Sequence, residues 1–160
     1  MKATVAYFSV TGRNEQVAEA IERELVDRGV TVERVFLKPR KSMGAVGSAI
    51  RSLFNRPVEL DLRQSPEPAD LLALVGPVYA SSVCPPVATY LRSLTGLDGA
   101  KVINVVCGYN THPEVIRTIN GRLRALGSGP IVERTVRLKD IDSPDRVATL
   151  ARDVVAEAIG

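Results

Sequence analysis

Three runs in this chain, Ala3 to Phe8, Leu71 to Val75 and Val102 to Val106, are apolar at nearly every position. A strand with one wet face alternates polar and apolar side chains, so runs without that alternation belong to strands covered on both sides. Amphipathic stretches lie between them. Val17, Ala18, Ile21, Leu25 and Val26 recur at helical spacing before Gly29, and Val87, Tyr90, Leu91 and Leu94 do so behind Pro86. Apolar strands alternating with such helices leave one main architecture open. It is an α/β domain with a parallel sheet, helices on both faces and right-handed crossovers.

The rest of the chain extends the alternation. Thr31 to Leu37 reads as a second strand, with Glu33 and Arg34 marking it as an edge. Met43 to Phe54 puts Val46, Ile50, Leu53 and Phe54 on one helical face, weakened by Gly44 and Gly47. Asn55 to Ala69, with three prolines, reads as an irregular connection. Thr111 with Glu114 fits a capping box ahead of the stripe Ile116, Ile119, Leu123 and Leu126. Ile131 to Leu138 alternates like an outer strand, and Ser143-Pro144 opens a last helix. The sum is one domain over residues 1–160, with five strands and five helices. In such sheets ligands bind beyond the carboxyl ends of the strands, where strand order reverses. Ser9–Asn14, Pro77–Pro86 and Cys107–Thr111 leave those ends and are expected to converge on one site.

The first of these segments, Ser9-Val10-Thr11-Gly12-Arg13-Asn14, has the chemistry of an anion cradle. The first N–H groups of a helix lack partners inside it, and the helix dipole puts positive charge at the same end. Ser9 and Thr11 add hydroxyl donors, Asn14 adds an amide, and Gly12 permits close approach of the backbone. The loop has neither the lysine of a Walker A loop nor the glycine pattern of a dinucleotide fingerprint.

Charge and cysteine content narrow the classes further. The net charge is +3, and five cations, Lys38, Arg40, Lys41, Arg51 and Arg56, lie in a stretch without acidic residues. That stretch, Lys38 to Arg56, reads as a solvated basic face or as a docking patch for an acidic partner. Its single aromatic, Phe54, and the lack of any binding motif argue against nucleic acid. No apolar run approaches the ~20 residues of a bilayer span, and Met1-Lys2-Ala3 leads straight into a strand without a secretory pattern. Cys84 and Cys107 have no metal-ligand spacing, so no metal site and a cytoplasmic location with reduced thiols are expected.

Three segments together resemble the flavodoxin family, whose members open with a strand and then [ST]-x-T-G-x-T. Ser9, Thr11 and Gly12 match, and Asn14 stands at the last threonine. The run Gly76-Pro77-Val78-Tyr79, with Pro85-Pro86 before the next helix, resembles the family's Gly-x-Pro-x-Tyr/Trp strand end. The resemblance covers essentially the whole chain. It implies a doubly wound five-stranded parallel sheet of order 2-1-3-4-5 and FMN as cofactor. It further implies that Ser9, Thr11, Gly12, Arg13 and Asn14 hold the phosphate. Pro77, Val78, Tyr79 and Ala80 would then wall one side of the isoalloxazine ring, and Gly108, Tyr109 and Asn110 the other. Ser81 departs from the glycine frequent near that point, so a positive φ there carries a cost.

The implied function is an FMN-bound carrier passing electrons between a reductase and an acceptor, with redox proteins or a small-molecule acceptor as partners. A second reading is an NAD(P)H-dependent FMN or quinone reductase on the same fold. A third is a non-redox binding module without cofactor. A response-regulator receiver shares the topology but needs acidic residues after its first strand, where Phe8-Ser9 offers none. Cys84, Cys107 and His112 are further candidates; the thiols read as packing, and His112 starts a helix near the implied ring.

Overall fold

The computed structural model describes residues 1–40, 58–61, 69–110 and 112–160. The expected helix Met43–Phe54, most of the connection Asn55–Ala69, Lys41, Arg51, Arg56 and Thr111 lie outside them. In chain order the elements are β1 Lys2–Tyr7, α1 Arg13–Asp27, β2 Thr31–Phe36, β3 Leu71–Tyr79 and β4 Ser82–Val83. They continue as α2 Pro85–Ser93, β5 Lys101–Gly108, α3 Pro113–Ala125, β6 Ile131–Arg137, α4 Leu138–Ile141 and α5 Pro144–Ile159.

The sheet runs β2-β1-β3-β5-β6, with every neighbouring pair parallel. Numbering only these five strands gives 2-1-3-4-5, the doubly wound order. The period of two in each strand sorts its side chains onto opposite faces. Val5 and Tyr7, Ala73 and Val75, and Val105 and Cys107 pack beneath α1 and α5, where Val17, Ile21, Leu25, Val154 and Val155 meet them. Ala6 and Phe8, Leu72 and Leu74, and Val102 and Val106 face Val87, Tyr90 and Leu91 of α2 and Ile116, Ile119 and Leu123 of α3. Both faces are dry, which is why these strands read as unbroken apolar runs.

Several boundaries differ from the sequence expectation. β3 does not stop at Gly76-Pro77 but runs to Tyr79 and turns back into the two-residue β4. The Phe8 amide donates to the Val75 carbonyl at 3.1 Å, so Val75 faces β1. Pro77, two residues on, turns its missing N–H to the same edge, where β1 has already ended, and so breaks no ladder bond. Val26 is exposed, because Leu25 takes the inward position on α1. α2 starts at Pro85 rather than Pro86, and α3 starts at Pro113 after His112. Glu114 is then the second helical residue, one short of the capping-box position. The single turn α4 was not expected.

Candidate functional site

The carboxyl ends of β1, β3 and β5 lie side by side. Tyr7 is in register with Val75, and Pro77 with Cys107. The segments that follow, Ser9–Gly12, Tyr79–Ser82 and Tyr109–Asn110, therefore leave one rim of the sheet. A Cβ placed on Gly108 would lie 3.4 Å from His112 Cδ2 and 3.7 Å from Val78 Cβ.

At the first segment Gly12 precedes α1 with φ +83°, a left-handed conformation that a glycine takes without strain. The space in front of its Cα is open, since nothing lies within 4 Å of a built Cβ. The first intrahelical bond, from the Gln16 amide to the Gly12 carbonyl, is 3.1 Å long. The N–H groups of Arg13, Asn14 and Glu15 thus point out of the helix end. Ser9 Oγ is buried and has no hydrogen-bond partner among the described residues. An unspent hydroxyl beside open helix N–H groups fits the terminal phosphate of FMN, and Thr11 is exposed next to it.

Asn14 and Arg13 are placed differently from what an anion cradle alone suggests. Asn14 is buried, and its Nδ2 donates to the Phe8 carbonyl at 3.0 Å, bracing the loop against the strand. Its Oδ1 is a buried acceptor without a partner among the described residues, and an acceptor does not meet a phosphate. The Arg13 guanidinium forks onto Asp142, with contacts of 3.0 and 3.4 Å, and ties the start of α1 to the turn after α4. Behind them the Tyr7 hydroxyl donates to Glu15 Oε1 at 2.9 Å. Burial and then Glu15 push that phenol up to about 12.

The second segment is a hairpin in which Val78 pairs with Val83 and Tyr79 with Ser82. Its two turn residues, Ala80 and Ser81, have φ of 47° and 55°. Positive φ at both central positions is the type I′ geometry that normally selects asparagine and glycine. The penalty expected at Ser81 is therefore present, and Ala80 shares it. Tyr79 packs partly buried against the α2–α3 side of the core, which pushes its phenol up to about 12. Tyr109, in the third segment, is 83% exposed, and Asn110 is exposed beside it.

The cysteines take no part in this rim. Both are free and buried, and burial pushes each thiol up to about 12, far from a reactive thiolate. Cys84 belongs to the α2–α3 side of the sheet and Cys107 to the α1–α5 side, so they do not form a pair. Among the described residues no group of three metal-binding side chains occurs. Of the basic stretch, Lys38 and Arg40 are described, and Arg40 lies 3.6 Å from Glu59 with both side chains exposed.

A hollow of about 550 Å³ lies at the opposite end of the strands, lined by Asp70, Tyr90, Thr95, Asp98 and Lys101 among others. Two carboxylates in its wall, Asp70 and Asp98, oppose a phosphate. Asp70 is moreover bonded to the Lys2 amide at 2.7 Å.

No family model and no curated protein matches the chain in sequence. Solved structures do match its shape. An NADH:FMN oxidoreductase in its apo form superposes with TM-score 0.69 at 15% identity, over 98% of this chain and 88% of that one. A short-chain flavodoxin associated with a bacterial microcompartment gives 0.64 at 18%, over 99% of each chain. The NAD(P)H:quinone oxidoreductase of Methanothermobacter marburgensis gives 0.58 at 14%, over 95% of this chain and 98% of that one. The fold is flavodoxin-like.

Sequence reasoning missed Asp142 and Glu15 as parts of this rim, and read Val78–Pro86 as a loop rather than the β3–β4 hairpin. Asp142 and Glu15 are tertiary partners with no local signature, whereas Ala80-Ser81 carries residues that argue against the turn they form.

Proposed function

We propose that the protein binds FMN at this rim and carries electrons between a reductase and an acceptor. The observation that carries the reading is the junction at Gly12, where open helix N–H groups meet the unspent Ser9 hydroxyl at the doubly wound sheet's switch point. Ser9, Thr11, Gly12 and the backbone of Arg13 and Asn14 would hold the phosphate. Pro77, Val78, Tyr79 and Ala80 would line one side of the ring, and Gly108, Tyr109 and Asn110 the other. FMN, when bound, supplies one- or two-electron redox chemistry. The chain's own residues bind and orient it, and the dry strands beneath exclude water from below.

Asn14 enters this reading as the brace of the loop rather than as a phosphate donor. Arg13 contributes through its backbone, its side chain being held by Asp142. Lys38 and Arg40 would belong to a surface that meets an acidic redox partner. Two free, buried thiols suit the cytoplasm. No helix among the described residues is long and apolar enough to cross a membrane.

A reductase reading on the same site is favoured by one observation, the turn at Ala80-Ser81. Both residues already sit in the left-handed region, and a Cβ on each restricts the backbone rearrangement available to a glycine there.

The test is to purify the protein, add FMN and follow flavin absorbance and fluorescence. Tight uptake, abolished by Thr11→Glu on the exposed side of the loop, is the expected result. Colourless protein that leaves added FMN free overturns the reading. Loss of NAD(P)H absorbance with quinone acceptors separates the reductase from the carrier.

A further inference from the structure

We propose that Asn104 and Asn120 are positioning residues of this rim. Their buried amide pair fixes the register of α3 on β5 and so holds the segment between the two elements, Tyr109–Asn110, at the ring site. This role deepens the redox reading above and rests on it for the identity of the ligand. Four polar side chains are buried among the described residues: Thr4, Asn14, Asn104 and Asn120. Asn14 braces the first loop. Asn104, 1% exposed, stands in the middle of β5, and Asn120, 2% exposed, in the middle of α3.

Asn104 Nδ2 donates to Asn120 Oδ1 at 2.8 Å, and Asn120 Nδ2 donates to a carboxylate oxygen of Glu133 on β6. A carboxylate only accepts, so Glu133 sets the direction of both bonds. Asn120 turns its nitrogen to β6 and its oxygen to β5. The other contacts across this interface have no such direction. Val115, Ile116, Ile119 and Leu123 of α3 share one apolar cluster with Val102 and Val106 of β5. Apolar packing sets how closely helix and sheet approach, but it tolerates a shift along the helix axis. A hydrogen bond weakens steeply with misalignment and does not. Stability gives no separate reason for the pair. Asn104 Oδ1 is buried and has no partner among the described residues, a cost that an apolar side chain avoids. A polar pair of this kind in a dry interface acts on register.

Register matters at one end of the helix. β5 ends at Gly108 and α3 begins at Pro113, so the amide pair closes a loop whose tip is the third rim segment. The Val115 and Ile116 amides both donate to the His112 carbonyl and pass that anchoring toward the tip. Tyr109 and Asn110 are exposed, so their place is set by the two ends.

The test compares Asn104→Leu/Asn120→Leu, which removes both amides at once, with Ile119→Val, which loosens the same interface without touching the pair. Urea unfolding shows that each variant is folded. Amide NMR of the free protein and FMN dissociation constants from fluorescence quenching are the readouts. In the double variant the signals of α3 and Tyr109–Asn110 are expected to broaden or double while those of β1 and β3 stay single. FMN affinity is expected to fall about three- to tenfold. Ile119→Val is expected to lower the urea midpoint and to leave both readouts unchanged. Single α3 signals or wild-type FMN affinity in the double variant overturn the proposal. So does an equal loss of affinity in Ile119→Val, which marks the effect as merely structural. Should the double variant not fold, Glu133→Leu takes its place, since that side chain is exposed on β6, and the same two results overturn the proposal there. FMN that fails to bind the wild type overturns the redox reading, and the α3 signals of the free protein then decide the register on their own.

Discussion

Gly76 and Val87 approach so closely that a Cβ on Gly76 would lie 2.7 Å from Val87 Cγ2. This contact seats α2 directly under the end of β3, and the hairpin Val78–Val83 is carried on both. Val87 is buried, at 2% exposure. Gly76→Ala is expected to cost about 1–3 kcal/mol of stability by overpacking and to loosen FMN binding by displacing the hairpin. Urea denaturation and an FMN titration check it, and a neutral result in both would contradict the packing account.

The turn Ala80-Ser81 gives a prediction of opposite sign. Left-handed backbone costs a residue with a Cβ about 1–2 kcal/mol, and glycine escapes that cost at some loss of unfolded-state entropy. Ser81→Gly is therefore expected to raise stability by up to about 1 kcal/mol, measured as a higher urea midpoint with unchanged slope.

Asp142 holds the cation nearest in sequence to the proposed phosphate loop. Both side chains of the pair are partly exposed, at 37% for Arg13 and 57% for Asp142, so the bridge itself adds little stability. Asp142→Asn removes a negative charge from the anion site and frees Arg13. FMN affinity is expected to tighten about two- to fivefold at low salt, with the gain shrinking as salt screens it. Isothermal titration at two ionic strengths reads this directly.

Tyr7 links the same loop to pH. Its folded pKa is raised from 10.0 to about 12, by burial first and by Glu15 second. A raised folded pKa means that the neutral phenol is favoured by folding. Its contribution is complete below the unfolded value and is lost as pH rises through the folded one. Stability is expected to fall between 10.0 and about 12, with Tyr79 adding to the same limb. Tyr7→Phe loses the Glu15 hydrogen bond, about 1 kcal/mol at neutral pH, and flattens the alkaline decline. Thermal melts at stepped pH check both limbs.

The layered architecture was legible because it follows from short-range rules. Ala3 to Phe8 and Val102 to Val106 lack a polar face, and only a strand covered on both sides requires that. The switch-point rim followed from the order of elements, and Ser9-Val10-Thr11-Gly12 was readable as a helix start. What was not legible depends on partners distant in sequence. Pro77 reads as a strand breaker until β1 is known to end beside Val75. Val26 fits the apolar stripe of α1 as well as Leu25 does, and only the placement of the sheet selects between them. Asn14 reads as a phosphate donor, but the Phe8 carbonyl takes its amide first. Ala80-Ser81 lacks the residues that signal a type I′ turn, so local propensity pointed away from the hairpin that tertiary packing imposes.

The account stands on one spatial claim, that a single flavin touches all three rim segments at once. Backbone amide NMR of the labelled protein titrated with FMN measures this most directly. Resonances of Ser9–Asn14, Val78–Ser82 and Gly108–His112 are expected to move together on one saturation curve. Shifts confined to the hollow around Thr95–Lys101, with the three rim segments unmoved, would contradict it.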